Sequence, residues 1–235
     1  MTGYRGGSGF RPTKDAGPAK PVEPQAPHWR LRNWFTDLSE EALNKLRQFH
    51  LELLNSNKSL TLIPSRSIID SDAEHIADAI IGGRIVLAAT KAKEIFDLGS
   101  GNGLPGIILA ILDPTRKIIL VERDERKIEF LKNTINKLQL KNVAVYSGKF
   151  EELQPGSVHA AVSRDFANLS KTILMARKPC AVGADFFHFK GESWVTEVAD
   201  IPSQICVYWQ PKLVKEYSLP IPGDPLAVVV TKKLG

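Results

Sequence analysis

A run of glycines between two apolar stretches is the feature that most restricts how this chain can fold. The stretch Ile95–Leu98 contains one acid, Asp97; glycines follow at positions 99, 101, 103 and 106, and apolar residues resume at Ile107. Glycine loses more conformational entropy on folding than any other residue, so this density is expected where a backbone must turn tightly or approach a ligand. The segment therefore predicts a strand, a tight turn and a helix in succession.

Apolar runs alternate with amphipathic segments beyond Lys91, and a helical pattern precedes them. One helix is predicted to begin after Ser39, a good N-cap residue, and a second to run from Ser67 to Leu87. The predicted strands are Glu94–Leu98, Lys117–Glu122, Val143–Tyr146, His159–Ser163, Ala184–Phe189, Ile205–Gln210 and Ala227–Thr231, and the helices between them are Pro105–Leu112, Glu125–Leu138 and Leu169–Arg177. This alternation predicts an α/β fold whose mostly parallel sheet is covered on both faces and binds ligands at the carboxyl ends of its strands.

Three regions differ in composition. Residues 1–32 form a Gly/Pro-rich tail that we expect to be disordered, residues 33–90 a helical N-terminal extension, and residues 91–235 the α/β domain. The tail has six basic and two acidic residues, so it carries +4 of the chain's net charge of +5. Such a tail suits nucleic acid, although a purely solubilising role is equally compatible with its charge.

Several classes of protein are disfavoured by what the sequence lacks. The two cysteines, Cys180 and Cys206, form no C-x-x-C pair, and the five histidines show no metal-ligand spacing. No apolar run is long enough to span a bilayer, and the N-terminus has no apolar signal core. We therefore expect a cytoplasmic protein, a monomer without a metal site or membrane association.

The glycine turn leaves two nucleotide cofactors open. Gly101, Gly103 and Gly106 match the spacing of the dinucleotide fingerprint, which makes NAD a candidate. The carboxylate of Asp97, however, would repel a pyrophosphate and attract an ammonium or sulfonium group. That difference favours S-adenosylmethionine, whose methionine end carries both cations. An ordinary turn capped by Asp97, with no ligand, is the alternative.

The next two predicted strands end in further acidic and aromatic candidates. Glu122 could accept hydrogen bonds from two ribose hydroxyls, or it could be a surface acid paired with Arg126 or Lys127. After the third strand, Phe150 could cover a purine face and Glu151 could accept from an adenine amino group. A solvated helix start explains Phe150 and Glu151 equally well.

Arg164, Phe166 and Lys190 follow the fourth and fifth predicted strands, at the edge of the sheet where a methyl group would be transferred. Arg164 could position a phosphate or the carboxylate of the cofactor, Phe166 could stack on a base, and Lys190 adds a cation. If the substrate is RNA, we expect Lys190→Ala mainly to weaken its binding. A surface arginine and a core phenylalanine are the alternatives without function.

The segment "DLGSGNGLPG" at 97–106 resembles the "D-x-G-T/S-G-x-G-L-P-G" signature of the bacterial 16S ribosomal RNA guanine-N7 methyltransferases, also called glucose-inhibited division protein B (GidB, RsmG). Its Leu-Pro-Gly ending is the most specific part. Further similar segments follow in the same order along the chain, namely "HIADA" (75–79), "ERDERKIEFLK" (122–132), "GKFEE" (148–152), "SRDFANL" (163–169) and "FKG" (189–191). The resemblance extends from about Leu38 to the C-terminus.

This resemblance implies a Rossmann-like class I fold, S-adenosylmethionine as methyl donor, and N7 of guanine 527 in the 530 loop of 16S rRNA as target, on the RNA alone or in the small ribosomal subunit. Residue by residue, it implies that Gly99, Leu104, Phe150, Glu151 and Arg164 contact the cofactor. The complete set of predicted cofactor-binding residues is Asp97, Gly99, Gly101, Gly103, Leu104, Glu122, Phe150, Glu151 and Arg164, with Arg164, Phe166 and Lys190 as substrate-positioning candidates. No general base is expected, because guanine N7 has a lone pair and no proton to lose.

Two departures from the family's pattern concern the target more than the cofactor. Asp165 stands where the family has a small residue, and Asp224-Pro225 where it usually has an arginine. Asp165 could pair with Arg164 and reduce the positive field offered to RNA. Methylation of a different RNA guanine, and a non-catalytic RNA-binding module with a vestigial pocket, are therefore retained as alternatives, together with an NAD-dependent oxidoreductase.

Overall fold

A seven-stranded sheet forms the centre of the protein, for which a computed structural model describes residues 26–235. The strands are β1 (Glu94–Leu98), β2 (Lys117–Glu122), β3 (Val143–Ser147), β4 (Val158–Arg164), β5 (Cys180–Lys190), β6 (Trp209–Tyr217) and β7 (Leu226–Lys233). Their spatial order is β3-β2-β1-β4-β5-β7-β6. Strands β1 to β5 pair in parallel, whereas β7 is antiparallel to both β5 and β6. The prediction of a mostly parallel seven-stranded sheet is confirmed.

Eight α-helices connect and precede these strands in the described part of the chain. They are α1 (Leu31–Trp34), α2 (Glu40–Leu60), α3 (Asp78–Ala89), α4 (Gly106–Leu112), α5 (Glu125–Lys137), α6 (Leu169–Ala176), α7 (Trp194–Ala199) and α8 (Ser203–Cys206). Helix α2 begins as predicted, because Ser39 Oγ accepts a hydrogen bond from the Ala42 amide at 3.2 Å.

The segment from Ser67 to Leu87 is not the single helix that its apolar stripe predicted. It consists of the end of a 3₁₀ turn (Ser65–Ser67), a π-helix (Asp72–Ala77) and then α3. The hydroxyls of Ser67 and Ser71 donate to the carbonyls three residues back, at 2.9 and 2.7 Å. These side-chain bonds compete with helical backbone bonds, so they favour short turns before α3.

The predicted strand Ile205–Gln210 is wrong over most of its length. Residues Ser203–Cys206 are helical, and β6 begins only at Trp209. Pro202 precedes this helix, and Val207 is exposed, whereas Trp209 is fully buried. The alternation of Ile205, Val207 and Trp209 imitated a strand, but only Trp209 reaches the core.

Residues 29–31 are packed against the folded part, although the predicted tail extended to residue 32. The Trp29 ring stacks on His50 with centroids 5.3 Å apart, and Leu31 is fully buried. Arg30 forms an ion pair with Asp72 at 2.7 Å. Residues 1–25, which carry most of the predicted tail, lie outside the described residues.

The core lies on both faces of the sheet, because alternate strand residues point to opposite sides. Ile95, Ile118 and Leu120 pack with helices α2 to α5 on one face. Phe96 and Val121 pack with α6 and Trp209 on the other. None of the helices in residues 26–235 is long and apolar enough to cross a membrane.

Candidate functional site

A cavity of about 690 Å³ opens at the carboxyl ends of β1 and β2, beside the loop that follows β4. Its walls include predicted site residues from four separate segments of the chain, namely Gly99, Gly101, Glu122, Phe150, Glu151 and Phe166. A second, larger cavity of about 1050 Å³ lies against the start of α2 and the turns before β2 and β3. None of the predicted site residues lines it. The first cavity is therefore the candidate site.

The glycine turn forms the floor of this cavity. Gly99 has φ +65°, and a Cβ at this position would lie 2.3 Å from Cδ2 of Phe166. Only glycine satisfies both the left-handed backbone and this close approach. The Gly101 amide donates to Glu122 Oε2 at 2.9 Å, so the turn is tied to the end of β2.

Gly103 and Leu104 are in the same loop but do not line the cavity. Leu104 is buried in the core, and a Cβ on Gly103 would meet Ile107 Cδ1 at 2.5 Å. Both residues therefore shape the turn from its core side.

Asp97 lies beneath the turn with only 1% of its surface exposed, and it does not itself line the cavity. Its Oδ2 accepts hydrogen bonds from Ser100 Oγ at 2.7 Å and from the Gly106 amide at 3.1 Å. Its Oδ1 is buried and has no hydrogen-bond partner among the residues described. Burial raises the pKa of Asp97 to about 6, against the opposing effect of the Ser100 and Gly106 bonds. A positive ligand group near Oδ1 would favour the ionised form.

Glu122 at the end of β2 is almost fully buried and held by backbone amides. Its Oε1 accepts from the amides of Arg123 and Asp124 at 2.8 and 2.9 Å, and its Oε2 from Gly101. In the part of the chain that the structure describes, Glu122 forms no ion pair with Arg126 or Lys127. A carboxylate offers about four acceptor sites, so this fixed group retains capacity for a ligand hydroxyl.

Phe150 and Glu151 form the next part of the wall in a 3₁₀ turn after β3. The Phe150 ring is buried and packs on Phe186, with centroids 6.0 Å apart, so it supports the wall from behind. Glu151 Oε2 is buried without a hydrogen-bond partner among residues 26–235. Glu151, which lines the cavity, therefore provides an acceptor that no described residue uses.

Arg164 and Lys190 do not line the cavity, and both are engaged by protein groups. Arg164 pairs with Asp78 at 3.0 Å and lies 3.8 Å from Asp165. Lys190 Nζ donates to Glu197 Oε2 at 2.7 Å and to the Ala167 carbonyl at 3.0 Å. Only Phe166, the third substrate-positioning candidate, reaches the cavity, with 38% of its surface exposed.

The family model described as "GidB: rRNA small subunit methyltransferase G" matches residues 42–217. The chain belongs to this family. It is 42% identical to the Ribosomal RNA small subunit methyltransferase G 3 of Bdellovibrio bacteriovorus, over 88% of this chain and 94% of that protein. It is 30% identical to the Ribosomal RNA small subunit methyltransferase G of Janthinobacterium sp. (strain Marseille), over 80% of this chain and 85% of the relative.

Solved structures confirm the Rossmann-like class I methyltransferase fold of this GidB-family chain. A SAM-dependent methyltransferase from Aquifex aeolicus superimposes with a TM-score of 0.52 at 14% identity, covering 76% of this chain and 97% of that structure. The YcgJ protein from Bacillus subtilis gives a TM-score of 0.53 at 11% identity, covering 66% of this chain and 99% of the other.

Sequence reasoning missed two groups of residues in this GidB-family site. Asp78, which pairs with Arg164, and Tyr217, which donates to Asp78, were not candidates, although Asp78 falls within the noted "HIADA" segment. Four cations on the cavity wall were also missed, namely Arg123, Lys127, Lys149 and Lys171. All four lie within a few residues of a strand or helix terminus at the carboxyl edge, and that position is the signal that could have identified them.

Proposed function

We propose that this chain transfers a methyl group from S-adenosylmethionine to N7 of a guanine in the 530 loop of 16S rRNA, guanine 527 in the usual rRNA numbering. Membership of the rRNA small subunit methyltransferase G family supports an rRNA substrate. The likeness to a SAM-dependent methyltransferase supports the cofactor. The resemblance of "DLGSGNGLPG" to the guanine-N7 signature supports the position that is methylated.

The unpartnered Oδ1 of Asp97, a residue that lies directly behind the cavity wall at Leu98 and Gly99, is the observation that best supports this cofactor. A buried carboxylate oxygen without a partner is costly unless a ligand completes its bonding. The ammonium and sulfonium groups of S-adenosylmethionine suit it, whereas a dinucleotide would bring a pyrophosphate towards it. The remaining acceptor capacity of Glu122 suits ribose hydroxyls, and Glu151 Oε2 suits an adenine amino group.

The proposed reaction requires alignment more than acid or base chemistry. S-adenosylmethionine supplies an electrophilic methyl group when bound. Guanine N7 attacks with its own lone pair, so no residue of this chain has to remove a proton. Gly99 allows close approach at the cavity floor, and Phe166 offers an exposed ring on which a base taken out of its stack could rest. Positioning of this kind can lower a barrier by as much as ~7–11 kcal/mol.

The proposal is tested by incubating the purified protein with radiolabelled S-adenosylmethionine and small-subunit rRNA that lacks its native modifications. The RNA is supplied both alone and as assembled subunits, then digested so that the labelled nucleoside can be identified. Labelled 7-methylguanosine that maps to the 530 loop is the expected result. The Asp97→Asn variant serves as a control that should lose the label with its fold retained.

Other results would direct the proposal elsewhere. Label on a different guanine would support the proposed cofactor and contradict the proposed target. The departures from the family's pattern at Asp165 and Pro225 would then be the first candidates for the change in target. Saturable cofactor binding without label on either form of the RNA would favour the RNA-binding module. Absence of cofactor binding would contradict the assignment of the cavity.

A further inference from the structure

The loop between β4 and α6 is anchored at its start by a buried ion pair. The side chains of Arg164 and Asp78 are 6% and 9% exposed, and Arg164 Nη1 lies 3.0 Å from Asp78 Oδ2. The Tyr217 hydroxyl donates to Asp78 Oδ1 at 2.6 Å, so one carboxylate links β4, α3 and the end of β6. Buried pairs of this kind are often no more stabilising than apolar packing, so a contribution to stability alone does not explain this pair.

A second, partly buried pair anchors the end of the same loop. Lys190 Nζ, at the end of β5, donates to the Ala167 carbonyl at 3.0 Å and to Glu197 Oε2 at 2.7 Å. The same oxygen of Glu197 accepts from the Leu169 amide at 3.0 Å. Lys190 of β5 thus holds the Ala167 carbonyl, and Glu197 of α7 holds both Lys190 and the first amide of α6.

Two residues, Asp165 and Phe166, project between these anchors and are called the tip below. Asp165 has φ +51° and an 85% exposed side chain, so this non-glycine residue adopts a left-handed backbone without burial to stabilise it. Such a conformation persists where the surrounding structure holds it. Phe166 then places its ring against Gly99 on the cavity floor.

We propose that Asp78, Tyr217, Lys190 and Glu197 are positioning residues that act through the tip. They hold the Phe166 ring at the cavity floor, where a base entering beside it would meet the reacting methyl group in line. Lys190 thereby serves the substrate through the Ala167 carbonyl instead of through a phosphate. The catalytic part of this inference rests on the proposed function, whereas the mechanical part does not.

Hydrogen exchange of the full-length protein without ligand tests the mechanical part. Glu197→Gln weakens the anchor at Lys190, and Tyr217→Phe removes one bond from the anchor at Arg164. We expect amide exchange over residues 165–169 to rise several-fold in both variants, because local opening is governed by the contacts that close a segment. A rise at the Leu169 amide alone would overturn the inference. It would also be overturned if each variant raised exchange only at the end of the loop next to the substituted anchor.

Two matched variants control for the substitutions themselves. Glu94→Gln removes a carboxylate that also lies 2.7 Å from a lysine, Lys117, but at the start of β1. Tyr208→Phe removes an exposed hydroxyl near the start of β6. Neither should change exchange at the tip.

Steady-state kinetics on small-subunit RNA test the catalytic part. In Glu197→Gln and Tyr217→Phe, kcat per cofactor-binding site should fall by up to about 10²-fold, because a small misplacement of the reacting atoms slows the transfer strongly. The Kd for S-adenosylmethionine should be unchanged. A merely structural role would reduce the number of binding sites and leave kcat per site unchanged. If the wild-type protein methylates no guanine, the proposed function fails, and the exchange experiment still decides whether the anchors hold the tip.

Discussion

At the scale of single residues, the charge state of Asp97 links the site to pH. Burial raises its pKa to about 6, so the carboxyl is ionised above that pH and neutral below it. Only the ionised form attracts a positive ligand, and we therefore expect affinity for S-adenosylmethionine to fall as the pH drops below about 6, by up to about tenfold per pH unit. Titration calorimetry from roughly pH 5 to 8 measures this dependence.

Asp97→Asn should bind weakly with no such dependence. Asp113→Asn, which changes a carboxylate in the turn after α4, should keep the wild-type profile. A flat profile for the wild-type protein would show that Asp97 does not face a cationic group.

The backbone of Gly99 packs against the ring of Phe166, one of the two residues of the tip. Gly99→Ala combines a left-handed φ of +65° with a Cβ 2.3 Å from Phe166, so we expect it to abolish cofactor binding. Gly183→Ala is a matched control, because φ is +84° and nothing lies within 4 Å of the added carbon. That control should lose about 1–2 kcal/mol of unfolding free energy and no affinity.

A second substitution separates the two causes at Gly99. If the contact with the ring matters, Gly99→Ala/Phe166→Ala should recover part of the lost affinity for S-adenosylmethionine. Normal affinity in Gly99→Ala, measured by titration calorimetry, would contradict the proposed approach of a ligand to this turn.

At the scale of elements, the sequence predicts best where one signal dominates. Strands β1 and β2 have the predicted bounds because each is a buried apolar run that ends in a turn. The start of the predicted helix Ser67–Leu87 and most of the predicted strand Ile205–Gln210 were wrong, since serine side-chain bonds and a helix after Pro202 overrode the apolar pattern. Ion pairs such as Arg164–Asp78 join residues far apart in sequence, and no local pattern indicates them.

The contact between Arg30 in the N-terminal segment and Asp72 in the π-helix is expected to stabilise the fold. Arg30 donates to Asp72 through its backbone amide and its guanidinium, and the Asp72 side chain is fully buried. Arg30→Met leaves that carboxylate buried without its cation, so the free energy of unfolding should fall by about 3 kcal/mol in urea titrations. If the free energy of unfolding falls by much less than about 3 kcal/mol, the hydrogen bond from the Arg30 amide alone is enough to satisfy the Asp72 carboxylate.

Arg32→Met is the control for the same segment. Arg32 pairs with Glu40, and both side chains are mostly exposed. Its urea midpoint should remain close to that of the wild-type protein, because exposed pairs contribute little.

At the scale of the whole molecule, the buried cations Arg164 and Lys190 differ from the cations around the cavity. Lys149 and Lys171 line the cavity, are exposed, and form no ion pair within residues 26–235. S-adenosylmethionine carries one anionic group, its carboxylate, whereas the cavity wall has four cations, so RNA phosphates are further anions that these two lysines suit. The Lys149→Gln/Lys171→Gln variant should weaken RNA binding and reduce the slope of log K against log salt by roughly 0.7 per lost contact.

The same salt titration distinguishes the two interpretations of residues 1–25. This segment contains four basic and two acidic residues, so deleting it should also lower the slope if its charges contact RNA. An unchanged slope in the deletion, with an altered slope in the double lysine variant, would assign RNA contact to the cavity wall and a solubilising role to the tail. Lys232→Gln, whose lysine lies 3.6 Å from Asp185, is the control expected to leave the slope unchanged. In every variant, the affinity for S-adenosylmethionine should remain that of the wild-type protein. An unaltered slope in the double lysine variant would instead mean that the RNA contacts lie away from the cavity.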